Sequence, residues 1–288
     1  MSSLAVLAAA ALTAVVSTPL AAALGVRARL VDRPDGSTLK IHRRPVALTG
    51  GYAVMLGVAV GVTIAGGHPR LGPCAAVALA FLVGARDDRR PVGVAPRLVA
   101  FVVAGVLLAA DAGGGWPVSV LAVGLALAVP NAVNMIDGQD GLAAATAAVA
   151  AVALAAISSS PAANAVALSL AGALVGFVAW NRPPASVFLG NAGAYAIGMV
   201  LAASATRVAA VDGVPGVVAA GLALVVFAVE FASTVVRRLS GRRPLTGGDR
   251  DHTYDRIAAR LDRPHALALC VALGAAGAVA AVALGGGA

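Results

Sequence analysis

"PNAVNMIDGQDGLAAA", residues 130–145, decides how the chain is read. It holds two asparagines and two aspartates with no basic residue to pair them, and apolar runs lie on both sides. Asn131, Asn134, Asp137 and Asp140 recur every third residue, which gathers them on one side of a helical turn. Gly138 and Gly141 let the backbone bend and approach a ligand closely. Unpaired carboxylates beside hydrocarbon are costly and usually functional. An Asp-Gly turn between two helix caps is the plainer reading of the same letters.

The flanking sequence supplies the hydrocarbon. The 288 residues are 60% hydrophobic and 12% charged, against about 25% charged in a soluble domain. Apolar runs alternate with short polar stretches, the pattern of membrane spans rather than amphipathic helices. The expected spans are 3–25, 46–65, 71–85, 98–110, 116–130, 141–157, 163–180, 192–206, 214–236 and 266–285. Nineteen of the 21 basic residues fall in alternate inter-span loops, and only Arg70 and Arg207 fall in the others. The positive-inside rule makes the basic loops cytoplasmic. The expected fold is therefore an all-α integral membrane protein of about ten transmembrane helices. Both termini lie outside, the catalytic loops are cytoplasmic, and residues 1–288 form one polytopic domain. No basic residue precedes Arg27, so the first run reads as a retained span rather than a signal peptide. Cys74 and Cys270 lie in apolar runs and read as small buried residues, with no disulfide or metal spacing. The net charge of +8 sits in loops, where it sets topology and attracts anionic lipids and phosphorylated substrates. Nucleic acid is not an expected partner.

Four other stretches face the same side. "GARDDRRPVG" (84–93) pairs Asp87 with Asp88, an arrangement suited to a hard cation such as Mg²⁺ and its phosphate ligands; a solvated charged turn is the alternative. "VDRPDGSTLKIHRRPVALTGG" (31–51) offers Lys40 and His42 to phosphate, or serves topology and lipid headgroups. "RRLSGRRPLTGGDRDHTYDR" (237–256) mixes Arg242, Arg243 and Arg250 with Asp249, His252 and Asp255. Such a loop can hold a diphosphate by arginines and a ribose by carboxylates, or simply be solvated. Glu230, the only glutamate, lies within a span and is expected to pair with an arginine. "SVFLGNAGAYAIGMVLA" (186–202) carries Asn191, either a helix cap or part of the site.

In this order the stretches resemble the polyprenyl-phosphate N-acetylhexosamine-1-phosphate transferases, with the phospho-N-acetylmuramoyl-pentapeptide transferases as more distant relatives. "NAVNMIDGQDGLA" is similar to the family's most distinctive motif, and the resemblance runs from about Asp32 to Asp255. It implies transfer of a sugar-1-phosphate from a UDP-sugar to a polyprenyl-phosphate lipid in the cell membrane, releasing UMP, with Mg²⁺ (or Mn²⁺) on the diphosphate. Either Asp87 or Asp88 would activate the lipid phosphate, and Asp137 and Asp140 would order nucleotide and metal. Asp87, Asp88, Asn134 and Asn191 are the metal candidates. Asn131, Asn134 and the residues named in the 31–51 and 237–256 stretches are the substrate-binding ones. Two departures stand out. The family usually has aspartate where this chain has Asn191, and a histidine-rich run where it has "DHTYD". A divergent, weakly active or inactive relative is therefore an alternative. A transporter is another, disfavoured because the polar residues cluster at one face rather than the midplane. A homodimer is compatible with all of these.

Overall fold

The computed structural model describes residues 2–34, 44–67, 70–242 and 251–285. It is built from helices α1 (Ser3–Arg27), α2 (Gly50–Ile64), α3 (Leu71–Asp87), α4 (Val94–Ala112), α5 (Gly115–Ile136) and α6 (Leu142–Ile157). These are followed by α7 (Pro161–Asn181), α8 (Gly190–Ala223), α9 (Val225–Ser240), α10 (Thr253–Arg260) and α11 (Arg263–Gly285). Helices α1, α4, α5, α7, α8 and α11 are long and apolar enough to cross a membrane; α2 and α6 are apolar but shorter. Lys40, His42, Arg243, Asp249 and Arg250 lie outside the described residues.

Helix α8 is the most buried of the long apolar helices and packs against α2, α3, α5, α6, α7 and α11. Its facing residues are small, which lets backbones approach where lipid gives no hydrophobic drive to helix association. Gly84 on α3 is one such point: a Cβ there would collide with the backbone of Asn191 and Ala192. The outer helices show the converse. Leu4, Leu12, Val16 and Leu20 of α1 and Val279 of α11 are exposed, as a lipid-facing surface requires.

The expected ninth span, 214–236, is not one helix. Backbone torsions at Gly213 (φ 63°) kink α8, and a non-helical Leu224 separates α8 from α9. Helix α9 is polar inward and apolar outward. Glu230, Thr234 and Arg238, four residues apart, are buried, while Val229, Val236 and Leu239 are exposed. Glu230 pairs with His252, not with an arginine: its Oε1 lies 2.8 Å from His252 Nδ1 and accepts from Thr234 Oγ1, and its Oε2 accepts from the Thr253 amide. This contact fastens α10, which lies in a stretch expected to be loop, to α9. Cys74 is exposed rather than buried, and lines a cavity beside α3, while Cys270 is half-buried against the core.

A small antiparallel sheet was also not expected. Val31–Asp32 pairs with Val46–Ala47, and Ala47 bridges to Val187. It ties the first polar loop to the connection between α7 and α8. At the opposite end of the bundle Arg70 pairs with Asp111 at 3.1 Å, and Ser159 donates to Asp212 at 2.8 Å.

Candidate active site

The site forms where the C-terminal ends of α3 and α5 meet the N-terminal end of α8. The start of α8 leaves backbone N–H groups without helical partners. Asp88, just past α3, fills that need from another element. Its Oδ1 accepts from the Asn191 amide at 2.8 Å and its Oδ2 from the Ala192 amide at 3.0 Å. Gly190 makes the approach possible: its φ of 71° is left-handed, and a Cβ there would crowd Asp88 Oδ2 and the Leu48 carbonyl. Asn191 is therefore not the cap of α8. It lies inside the first turn, and its side-chain oxygen accepts from Asn134 Nδ2 at 2.7 Å.

Asp87 points elsewhere. Its Oδ1 accepts from the Val92 amide at 2.6 Å and its Oδ2 from the Tyr195 hydroxyl at 3.2 Å. Tyr195 is fully buried, and Arg97 Nη1 donates to its hydroxyl at 2.9 Å. Arg97, Tyr195 and Asp87 thus form a chain that fixes one carboxylate from α4 and α8. Neither Arg97 nor Tyr195 stands out in the sequence. The available signal was that Tyr195 lies one turn after Asn191 and so shares its helix face.

The stretch 130–145 forms the other wall. Asp140 Oδ2 accepts from the Ala185 amide at 2.9 Å. Gly141 N–H donates to Asn181 Oδ1 at 3.1 Å, so the turn is anchored to the α7–α8 connection. Asn131 is turned back onto its own helix, donating to the Leu127 carbonyl at 2.7 Å. Asp137 differs from its neighbours: among the described residues no hydrogen bond or ion pair reaches its carboxylate. Arg242 is exposed just beyond α9, and Asp255 lies on α10. His252 is buried against Glu230 and stacks on Tyr254. The structure thus brings Asp87, Asp88, Asn134 and Asn191 together with Asp137, while His252 and Asp255 belong to the α9–α10 end.

Electrostatics follow from this geometry. Burial pushes the Asp88 carboxyl up to about 6, against the pull of the two α8 amides. Asp137 is raised well above the usual carboxylate range, first by burial and then by the negative charges of Asp88 and Asp140. It is partly open by surface area, yet protein surrounds it over the longer range at which charge is felt. Such a carboxylate is stabilised by a proton or by a cation.

The donors here are hard oxygens, the kind Mg²⁺ takes. Among the described residues there is no group of three His, Cys, Asp or Glu side chains able to hold a metal. Mg²⁺ is commonly held by one or two carboxylates plus substrate phosphates. The open Asp137 and the unused lone pairs of Asp88 suit that role. Asp87 is in the same state as Asp88: each oxygen of either carboxylate accepts one protein donor and keeps a further lone pair.

Residues 71–209 match the family described as glycosyl transferase family 4. The matched segment contains Asp87, Asp88, Asn134, Asp137, Asp140, Asn191 and Tyr195, but not the 237–256 stretch. A Bacillus subtilis (strain 168) protein named "Probable undecaprenyl-phosphate N-acetylglucosaminyl 1-phosphate transferase" is 26% identical over 278 residues, covering 86% of this chain and 75% of its own length. A phospho-N-acetylmuramoyl-pentapeptide-transferase of Synechococcus sp. (strain RCC307) is 34% identical over 209 residues, 61% of this chain and 58% of its own length. A Streptomyces coelicolor protein named as a glycosyltransferase is 36% identical over 263 residues, 85% of this chain and 61% of its own length. The chain spans less than two thirds of the last two relatives.

Proposed function

We propose, for a chain whose residues 71–209 match glycosyl transferase family 4, that it transfers an N-acetylhexosamine-1-phosphate from a UDP-sugar to a polyprenyl phosphate. The products are a polyprenyl-diphosphate-sugar and UMP. The reaction belongs to cell-envelope polysaccharide assembly, with the site on the cytoplasmic face of the cell membrane. The observation that carries this reading is the cluster of Asp87, Asp88, Asp137 and Asp140 at one end of an apolar bundle, with the charges of Asp88 and Asp140 felt at Asp137 and no hydrogen-bond partner for Asp137 among the described residues.

In the reaction an oxygen of the lipid phosphate attacks the β-phosphorus of the UDP-sugar. The bond from that phosphorus to the bridging oxygen breaks, and the electron pair leaves with UMP. A phosphate monoester has a second pKa near 6 and is largely ionised at neutral pH. The barrier therefore lies mainly in bringing anions together and spreading their charge. Mg²⁺, when bound, supplies Lewis-acid neutralisation of the diphosphate. Asp137 and Asp88 would hold it. Asp87, fixed by Tyr195 and the Val92 amide, has a set direction from which to orient the lipid phosphate or accept its remaining proton. Asp88 also keeps the start of α8 in place, and with it the Asn191–Asn134 pair.

A weakened enzyme is a second reading. It is favoured by Asn191, whose amide oxygen is taken by Asn134 where the family usually presents a charged carboxylate. Membranes containing the protein, given sugar-labelled UDP-N-acetylglucosamine, polyprenyl phosphate and Mg²⁺, should place label in a solvent-extractable lipid. Absence of labelled lipid with every UDP-N-acetylhexosamine tried would overturn the proposal.

A further inference from the structure

A lateral cavity of about 830 Å³ opens between α2 and α3, floored by α7 and α8 and lying toward the end of the bundle opposite the carboxylates. Its walls are apolar, with Met55, Val58, Val77, Phe81, Val166 and Val200 among the lining residues. The size lies within the range of about 300–1,000 Å³ typical of ligand sites. Polar groups gather at the far rim, where Arg70, Asp111 and Arg207 line the opening.

The rim has a net positive charge. Arg70 is neutralised by Asp111 at 3.1 Å. Arg207 has no acidic partner among the described residues: its one hydrogen bond there runs from Nη1 to the Ala112 carbonyl at 3.3 Å. A guanidinium carries five N–H donors, so most of the Arg207 fork remains available beside an apolar cavity. Its depth is also defined. Arg207 lies 16 residues beyond Asn191 on α8, about 24 Å at 1.5 Å per residue. Against a hydrocarbon core of about 30 Å, that puts it near the headgroup level of the leaflet opposite the carboxylate cluster.

We propose that this cavity is a binding site for an anionic glycerophospholipid of that leaflet, with its phosphate on Arg207 and its acyl chains along α2, α3 and α7. An apolar cavity with a cation at headgroup depth that has no acidic partner among the described residues matches a lipid with a negative head, whereas a neutral lipid leaves the charge of Arg207 unanswered. The proposal needs the bundle to lie in a membrane; it stands or falls separately from the transfer reaction.

The test is native mass spectrometry of the purified full-length protein in detergent. Phosphatidylglycerol and phosphatidylcholine with identical acyl chains are added in turn. The wild type should retain phosphatidylglycerol in preference, by about fivefold, the contribution expected of one cation near an anionic headgroup. Arg207→Gln should remove that preference while leaving phosphatidylcholine retention unchanged, and Arg207→Lys should keep it. Ala203→Phe, which fills the cavity, should reduce retention of both lipids. Equal retention of the two lipids by the wild type, or a preference that survives Arg207→Gln, would overturn the proposal. The first of these needs no variant to fold.

Discussion

Asp137→Asn separates chemistry from architecture. The substitution keeps the side chain's shape and removes its charge. Among the described residues no hydrogen bond is lost. The like charges of Asp88 and Asp140 lose a repelling neighbour, and a disfavoured buried charge disappears. One pKa unit of such relief corresponds to about 1.4 kcal/mol. Asp137 is partly open to solvent, so screening reduces the gain to at most the order of 1 kcal/mol. The variant should therefore be as stable as the wild type at pH 7, or slightly more so. Transfer should fall by at least about 100-fold, as when a transition-state charge loses a preorganised partner. The effect of pH has a defined sign. Asp88 is raised to about 6 in the folded protein and Asp137 well above the ordinary carboxylate value, so the folded state binds more protons than the unfolded chain from 3.8 up to about 6 at Asp88, and from 3.8 upward at Asp137. Without a cation, stability should fall as pH rises through that window, and less steeply in Asp137→Asn. Thermal unfolding of the detergent-solubilised protein across pH, alongside sugar transfer, measures both. A variant destabilised by about 1 kcal/mol or more, or one that transfers at near wild-type rate, would contradict a purely chemical role for Asp137.

Tyr195→Phe removes the hydroxyl between Arg97 and Asp87. It should lower kcat about tenfold, near the value of one hydrogen bond to a charged group, with little change in KM for the UDP-sugar; a change confined to KM would contradict a role in holding Asp87. Asn191→Asp keeps the acceptor for Asn134 and adds a carboxylate, so the Mg²⁺ concentration for half-maximal transfer should fall; an unchanged Mg²⁺ response would mean that position 191 does not contact the cation. Ser240→Cys, at the exposed end of α9, should react with impermeant thiol reagents only from the cytoplasmic side, and labelling from the other side would reverse the proposed orientation. A Cys74→Ser background keeps that measurement free of the exposed native thiol.

Membrane helices were legible because hydrocarbon imposes one rule on every residue of a span. The break at Leu224 was not, since leucine is as apolar as its neighbours and only its backbone torsions depart from the helix. The inward polar face of α9 was present in the spacing of Glu230, Thr234 and Arg238, but the partner of Glu230 was not, because His252 lies 22 residues away across a loop. At the site, the carboxylates could be found from the sequence but their separate jobs could not. Adjacent residues at the end of a helix point about 100° apart, so Asp88 reaches the amides of α8 while Asp87 reaches Tyr195. Tyr195 and Arg97 were hidden because a tyrosine in an apolar helix and an arginine near a helix start each have ordinary reasons to be there. Asn191 could be assigned to a helix start by sequence, but its contact with Asn134 depends on the packing of α5 against α8.

In the proposed reaction the phosphate next to the sugar moves with it. This is tested most directly with UDP-N-acetylglucosamine labelled at the β-phosphorus, incubated with membranes, polyprenyl phosphate and Mg²⁺. Label should appear in the lipid fraction in step with release of UMP. Transfer of the sugar with the label left behind in UDP would contradict it.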